Sequence, residues 1–179
     1  MATSYSTGYQ IKLIGTGLEA GSWGSSTNEN LSRVEDAMGG SVAVNVTSPP
    51  TGSTWTSGSR TLAWLQSNTA AAGTSGSASV GSGRAKVVVF GDAGSDLGGA
   101  VTVQIRGNSA SDYPERTFFV KNALSGGQSL NLDLNGTDYV LRNGRFACLF
   151  TSATAKGTGT KIAANTVNNA LEYPQISNL

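Results

Sequence analysis

Apolar and polar residues alternate along much of this chain with a period of two. Val42, Val44 and Val46 fall on one side of a run beginning at Ser41, and Leu62 and Trp64 on one side of residues 61–66. Val101-Thr-Val-Gln-Ile and Leu130-Asn-Leu-Asp-Leu are clean alternations, and residues 85–91 and 116–122 carry further strand-forming runs. Successive strand side chains point to opposite faces, so each run predicts a strand with one buried face. Residues 9–14, Tyr-Gln-Ile-Lys-Leu-Ile, alternate loosely and predict one more. The period changes once. Leu31, Val34 and Met38 share a face at helical spacing, Asn28 or Asn30 is placed to cap a helix, and Gly39-Gly40 is placed to end it. Ser32 and Glu35 have the spacing of a capping box.

Arg142-Asn143-Gly144-Arg145 predicts a tight hairpin, because Asn and Gly tolerate positive φ. Pro49-Pro50 breaks the strand before it, and a boundary falls there. Residues 1–50 form an N-terminal docking module with the short helix, and residues 51–179 form the β domain. Residues 67–84, rich in Ser, Gly and Ala, predict a flexible loop. Residues 157–179 are polar and read as an extended tail. Many short strands at regular spacing predict a mainly β fold, an antiparallel β-sandwich or jelly roll with one short N-terminal helix.

Composition narrows the chemistry. The chain has 179 residues, a 38% apolar share and 24 glycines, and only 13% of it is charged. Its surface polarity therefore comes from hydroxyls and amides. Lys and Arg number 12 against 11 Asp and Glu, with no basic run, so the cationic footprint of nucleic-acid binding is absent. No apolar stretch approaches a membrane span, and the N-terminus lacks the basic and apolar regions of a signal peptide. The chain has no histidine and a single cysteine, Cys148. That combination removes the commonest general base, disfavours zinc and leaves Cys148 without a partner to activate it. Cys148 reads as a buried, inert thiol.

Two look-alikes fail at specific positions. Gly15-Thr-Gly17-Leu-Glu-Ala20 matches the spacing of a dinucleotide fingerprint, but Gly21 to Gly24 would break the helix that must start inside it. Asn131-Leu-Asp133-Leu-Asn135-Gly136 opens like an EF-hand loop, but Arg142 stands where the bidentate Glu belongs. Asp92 and Asp96 are the candidate oxygen ligands for a calcium ion, and Asp112 and Glu115 flank Pro114 in what reads as a solvated turn. No cofactor, catalytic residue or metal ligand set is assigned. Trp64 reads as core, while Trp55, in a Thr/Ser/Gly segment, is the candidate exposed aromatic that could stack on a sugar.

The segment from Tyr9 to Leu31 carries a more specific pattern: a strand, Gly15-Thr-Gly17, a spacer, Gly21-Ser-Trp23-Gly24, then Asn28-Glu-Asn30-Leu31 and a helix closed by glycine. It resembles the N-terminal signature of tailed-bacteriophage virion proteins of the tail-fibre kind. The strands and Asn-Gly turns further on are similar more loosely. The resemblance implies a virion structural protein of the tail or fibre apparatus, assembled in the host cytoplasm, with copies of itself and other particle proteins as partners. Capsid decoration and a glycan-binding module acting on host surfaces are the alternatives. Trp23, Met38, Trp55 and Tyr173 are the candidate interface residues.

Overall fold

The computed structural model of the chain describes residues 4–5, 11–17, 19–49, 53–65, 85–107, 116–134, 138–151 and 172–173. The segment expected to form a flexible loop, residues 67–84, lies outside them up to Arg84, as does the expected tail apart from Glu172 and Tyr173. The described chain is mainly β. A short hairpin, β1 (Ser4–Tyr5) with β2 (Lys12–Leu13), precedes helix α1 (Trp23–Gly39). Ten strands then follow: β3 (Ser41–Asn45), β4 (Thr54–Thr56), β5 (Thr61–Leu65), β6 (Val87–Gly91), β7 (Val101–Arg106), β8 (Arg116–Ala123), β9 (Leu130–Asp133), β10 (Asp138–Leu141), β11 (Phe146–Thr151) and β12 (Glu172–Tyr173).

These ten strands form two five-stranded sheets, ordered β10-β9-β7-β5-β4 and β12-β11-β8-β6-β3. The sheets face each other across one apolar core. The strand direction departs from the antiparallel expectation. β3, β6 and β8 run parallel in one sheet, and β5, β7 and β9 run parallel in the other; antiparallel pairs occur only toward the edges. The cause is the path of the chain. From β3 onward it passes along one sheet, returns along the facing sheet, and lays the next pass beside the previous one. A parallel neighbour normally requires a long crossover over the same sheet. Here the return pass is itself a strand of the opposite sheet, so the fold is a flattened coil closed by antiparallel strands. β3, from within residues 1–50, forms an edge of this coil through its pairing with β6.

The alternating positions build the core as expected. In the first sheet one inward row crosses all five strands: Trp55, Leu62, Val103, Leu132 and Tyr139 are register partners in turn. The three central residues of that row are fully buried, and the aromatic rings at its two ends are half-buried and pack on the core. In the second sheet Val42, Val88, Val120 and Ala147 form the matching row. Trp64 bridges the sheets. Its ring meets Phe90 edge-on with centroids 5.1 Å apart and lies 6.3 Å from Phe118. The buried Arg116 guanidinium covers both Trp64 and Phe118, at 5.0 and 4.4 Å from the ring centroids. This is cation–π packing that uses the flat cation as a lid on the aromatic core.

Several polar groups inside the sandwich are paired with one another. Arg106 on β7 and Asp133 on β9 form a buried ion pair at 3.1 Å, and the Arg106 guanidinium also donates to the Ile105 and Asp133 carbonyls. The EF-hand look-alike therefore opens in strand β9, with Asp133 committed to an arginine. At the sheet end holding the 92–100 and 124–129 loops, buried Asn122 donates to the Gln128 and Leu141 carbonyls and accepts from the Leu124 N–H. The Asn143-Gly144 turn is present, with Gly144 at φ +68. It does not close a hairpin. β10 belongs to the first sheet and β11 to the second, so the turn carries the chain between layers. Its Gly144 N–H donates to the Asn122 carbonyl and its Asn143 amide donates to the Leu124 carbonyl, which fixes the crossing.

Candidate functional site

The segment that carries the sequence signature folds as a unit around Lys12 and Glu19. Asn30 in α1 accepts a hydrogen bond from the Lys12 N–H and donates one to the Lys12 carbonyl, both at 2.8 Å. Its amide thus pairs with the backbone of β2 as another strand would. The Lys12 ammonium reaches Glu19 at 2.7 Å and donates to Ser26 Oγ at 2.9 Å. The Glu19 carboxylate accepts from Ser22 Oγ and Ser26 Oγ, and the Glu19 carbonyl accepts from the Ser22 and Trp23 N–H groups. Hydrogen bonding to Lys12, aided by the Ser26 and Ser22 hydroxyls, pulls the Glu19 carboxyl down from 4.5 to about 2. Glu19 is therefore the anion at the start of α1, where the helix dipole and free N–H groups favour negative charge.

This corrects the expected start of the helix. α1 begins at Trp23 instead of following a cap at Asn28 or Asn30, and Ser32 and Glu35 lie within it. Ser22, at the N-cap, makes no side-chain capping bond. The backbone hydrogen bonds to Glu19 organise the turn instead, and Asn30 is released to hold β2. The helix ends where expected. A Cβ on Gly40 would stand 2.6 Å from the Asp36 carbonyl oxygen, so only glycine permits the close turn from α1 directly into β3.

The structure also places the dinucleotide look-alike. Ile14, Gly15, Thr16, Gly17, Glu19 and Trp23 line a shallow depression of about 360 Å³ beside the start of α1. Among the described residues that line it there is no cation, its carboxylate, Glu19, is paired with Lys12, and the helix starts beyond the motif. Asp92 and Asp96 act as loop staples. Asp92 is buried and accepts from the Gly94 N–H, the Ser125 N–H and the Ser125 hydroxyl; Asp96 accepts from the Gly98 N–H and the Gln128 amide. Among the described residues no group of three or more His, Cys, Asp or Glu side chains is arranged to hold a metal, and no helix is long and apolar enough to cross a membrane.

What stands out is the outer face of α1. On a helix advancing about 100° per residue, Trp23, Val34, Met38 and Leu31 fall within an arc of about 80°. All four are open to solvent: Trp23 is 64% exposed, Leu31 61%, Val34 41% and Met38 77%. The residues that α1 buries are Ser26, Arg33 and Ala37, on a face about 100° away. Arg33 is fully buried and bonds Glu29 one turn earlier. The helix therefore turns small and hydrogen-bonding side chains toward its own chain and large apolar ones away from it, the reverse of a helix that packs on a core.

The four candidate interface residues separate accordingly. Trp23 and Met38 lie at opposite ends of the exposed face, and Leu31 and Val34 join them. Trp55 is not an exposed aromatic: it alternates with Thr54 and Thr56 on β4 and turns inward as the end of a core row. Tyr173 lies in β12, whose backbone pairs with β11. Cys148, expected to be buried, is half-buried and occupies the position between inward-facing Ala147 and Leu149 on β11. Lys12, Glu19 and Ser26 escape sequence reasoning, and Asn30 is read there as a cap and not as the anchor of β2, because their partners lie across a loop of unremarkable polarity.

No family model, curated protein or solved structure matches the chain.

Proposed function

We propose that the chain is a structural subunit of a bacteriophage virion, located in the tail or fibre apparatus, that works by assembly with copies of itself and with other particle proteins, and without catalysis. The observation that carries the reading is the exposed apolar face of α1. That face is built by Trp23 of the Gly-x-Trp-Gly signature and by Leu31, Val34 and Met38, which follow it. A chain that leaves Trp, Leu, Val and Met on one helix face presents a surface whose burial is favourable, and such patches mark protein interaction sites. The rigid, loop-stapled sandwich behind it supplies a body to be positioned. The charge-poor surface adds little long-range repulsion between subunits.

Localisation tests this. Gold-labelled antibody against the chain is applied to purified particles of the encoding phage and viewed by electron microscopy. Label on the tail or its fibres is the expected result. Label on the shell overturns the tail placement in favour of capsid decoration. Particles that carry none of the chain, by labelling and by mass spectrometry, overturn the virion reading.

A further inference from the structure

We infer that the apolar face of α1 packs against the same face of other copies of this chain, with the helices parallel around a rotation axis. Three features of that face lead to the assignment. The first is spacing. Thr27, Leu31, Val34 and Met38 follow one another at intervals of four, three and four residues, the a and d positions of a heptad seam. Leu31 and Met38 fall at a, Thr27 and Val34 at d. β-Branched residues at d opposite unbranched or γ-branched ones at a invert the two-stranded preference and favour three or four strands. More than two identical helices around a single rotation axis can only run in the same direction.

The second feature is charge. Of the residues flanking the seam, Asn28, Asn30 and Ala37 are uncharged and Glu35 alone carries a charge, so identical copies meet little repulsion. The third is area. Trp23, Leu31, Val34 and Met38 together leave on the order of 500 Å² per copy to be covered, against about 800 Å² per partner in a standard interface. Ile14 extends the patch, because it lines the depression at the Trp23 end. Two copies meeting through this face alone reach about 1,000 Å², the lower bound for a specific interface, and additional copies enlarge the buried total.

The inference rests on the reading that the subunit works by assembly. Its test uses the isolated full-length chain, so its failure is separable from the failure of the virion reading, which particle labelling decides. Native mass spectrometry and light scattering at micromolar concentration are expected to give three or four copies. Leu31→Glu and Met38→Glu are expected to shift the chain to monomer. Val140→Glu, at an exposed apolar residue on β10, is expected to leave assembly unchanged.

Direction is read by cross-linking in an otherwise unaltered interface. On a Cys148→Ser background, Met38→Cys treated with a short bismaleimide is expected to yield covalent pairs, because like positions face each other in a parallel bundle. In an antiparallel pair centred on the face, the two Met38 positions lie roughly 20 Å apart and escape the linker. A monomeric natural chain, an oligomer indifferent to both glutamate variants, or an oligomer that does not link through position 38 overturns the inference.

Discussion

The two-sheet coil and helix α1 obey the same rule of apolar periodicity and use it in opposite ways. In the coil the apolar face of nearly every strand is consumed within the chain: Leu62, Val103 and Leu132 in one sheet oppose Val88, Phe118 and Val120 in the other, all without solvent contact. In α1 the apolar face is left outside, and hydrogen bonds through Lys12, Glu19, Ser26 and Asn30 hold the helix in place. Non-directional burial stabilises the coil. Directional polar contacts orient the helix. The difference teaches that an amphipathic pattern identifies residues that share a face, while the occupant of that face depends on the rest of the fold.

Substitutions should separate the two regions sharply. The largest effect is expected at Trp64, which touches both sheets and supports Arg116: Trp64→Ala should cost about 3–5 kcal/mol, read from the denaturant midpoint. Next comes the ion pair in the coil. Asp133→Ala leaves Arg106 buried without its carboxylate and should cost about 3 kcal/mol in the same assay.

A smaller effect with a different signature is expected at the helix anchor. The Glu19 carboxyl is depressed in the folded chain, so its contribution is fully present above its ordinary value of 4.5 and is lost as pH falls toward about 2. The side-chain amide signals of Asn30, followed by NMR, should report loosening of α1 across that window. In Glu19→Gln they should be insensitive to it. The smallest effect is expected on the exposed face: Leu31→Gln should change the stability of the monomeric chain by no more than about 0.5 kcal/mol. A loss comparable to that of Trp64→Ala would show that the helix face is part of the core after all, and the contrast would collapse.

The strands were legible because one face of each is buried, which writes period two into the residues themselves. Val42 and Val44, Leu62 and Trp64, and Val101, Val103 and Ile105 were all readable for this reason. Strand direction was not legible, since alternation fixes a side chain's face and carries nothing about whether its neighbour runs up or down. The same limit explains the Asn143-Gly144 turn, whose residues specify positive φ but leave open which sheet comes next. Trp55 misled because Thr54 and Thr56 look like loop residues, although a Thr-Trp-Thr triplet is also an edge strand with one inward ring. In the candidate site, the shared face of Leu31, Val34 and Met38 was visible. Its outward orientation was not, because it depends on Asn30 and Glu19 reaching partners far from the stripe.

The coil path also sets how the chain must find its structure. Ser41 pairs with Val87, Thr61 with Thr102, Val87 with Phe119 and Val101 with Leu130, so the central pairings span roughly 30 to 45 residues each. Of these strands only β5, with β4, and β9, with β10, have a local antiparallel partner; none of the parallel pairings can begin from a local hairpin. Each added pass closes a long loop before its contacts stabilise it, and chains dominated by such distant pairings fold in milliseconds to seconds. Until the later passes arrive, β3 and β5 have no parallel neighbours, and their bare edges offer hydrogen bonds to other unfinished chains. The same winding that gives the finished chain a closed core makes its synthesis the stage at which it is most exposed to mispairing.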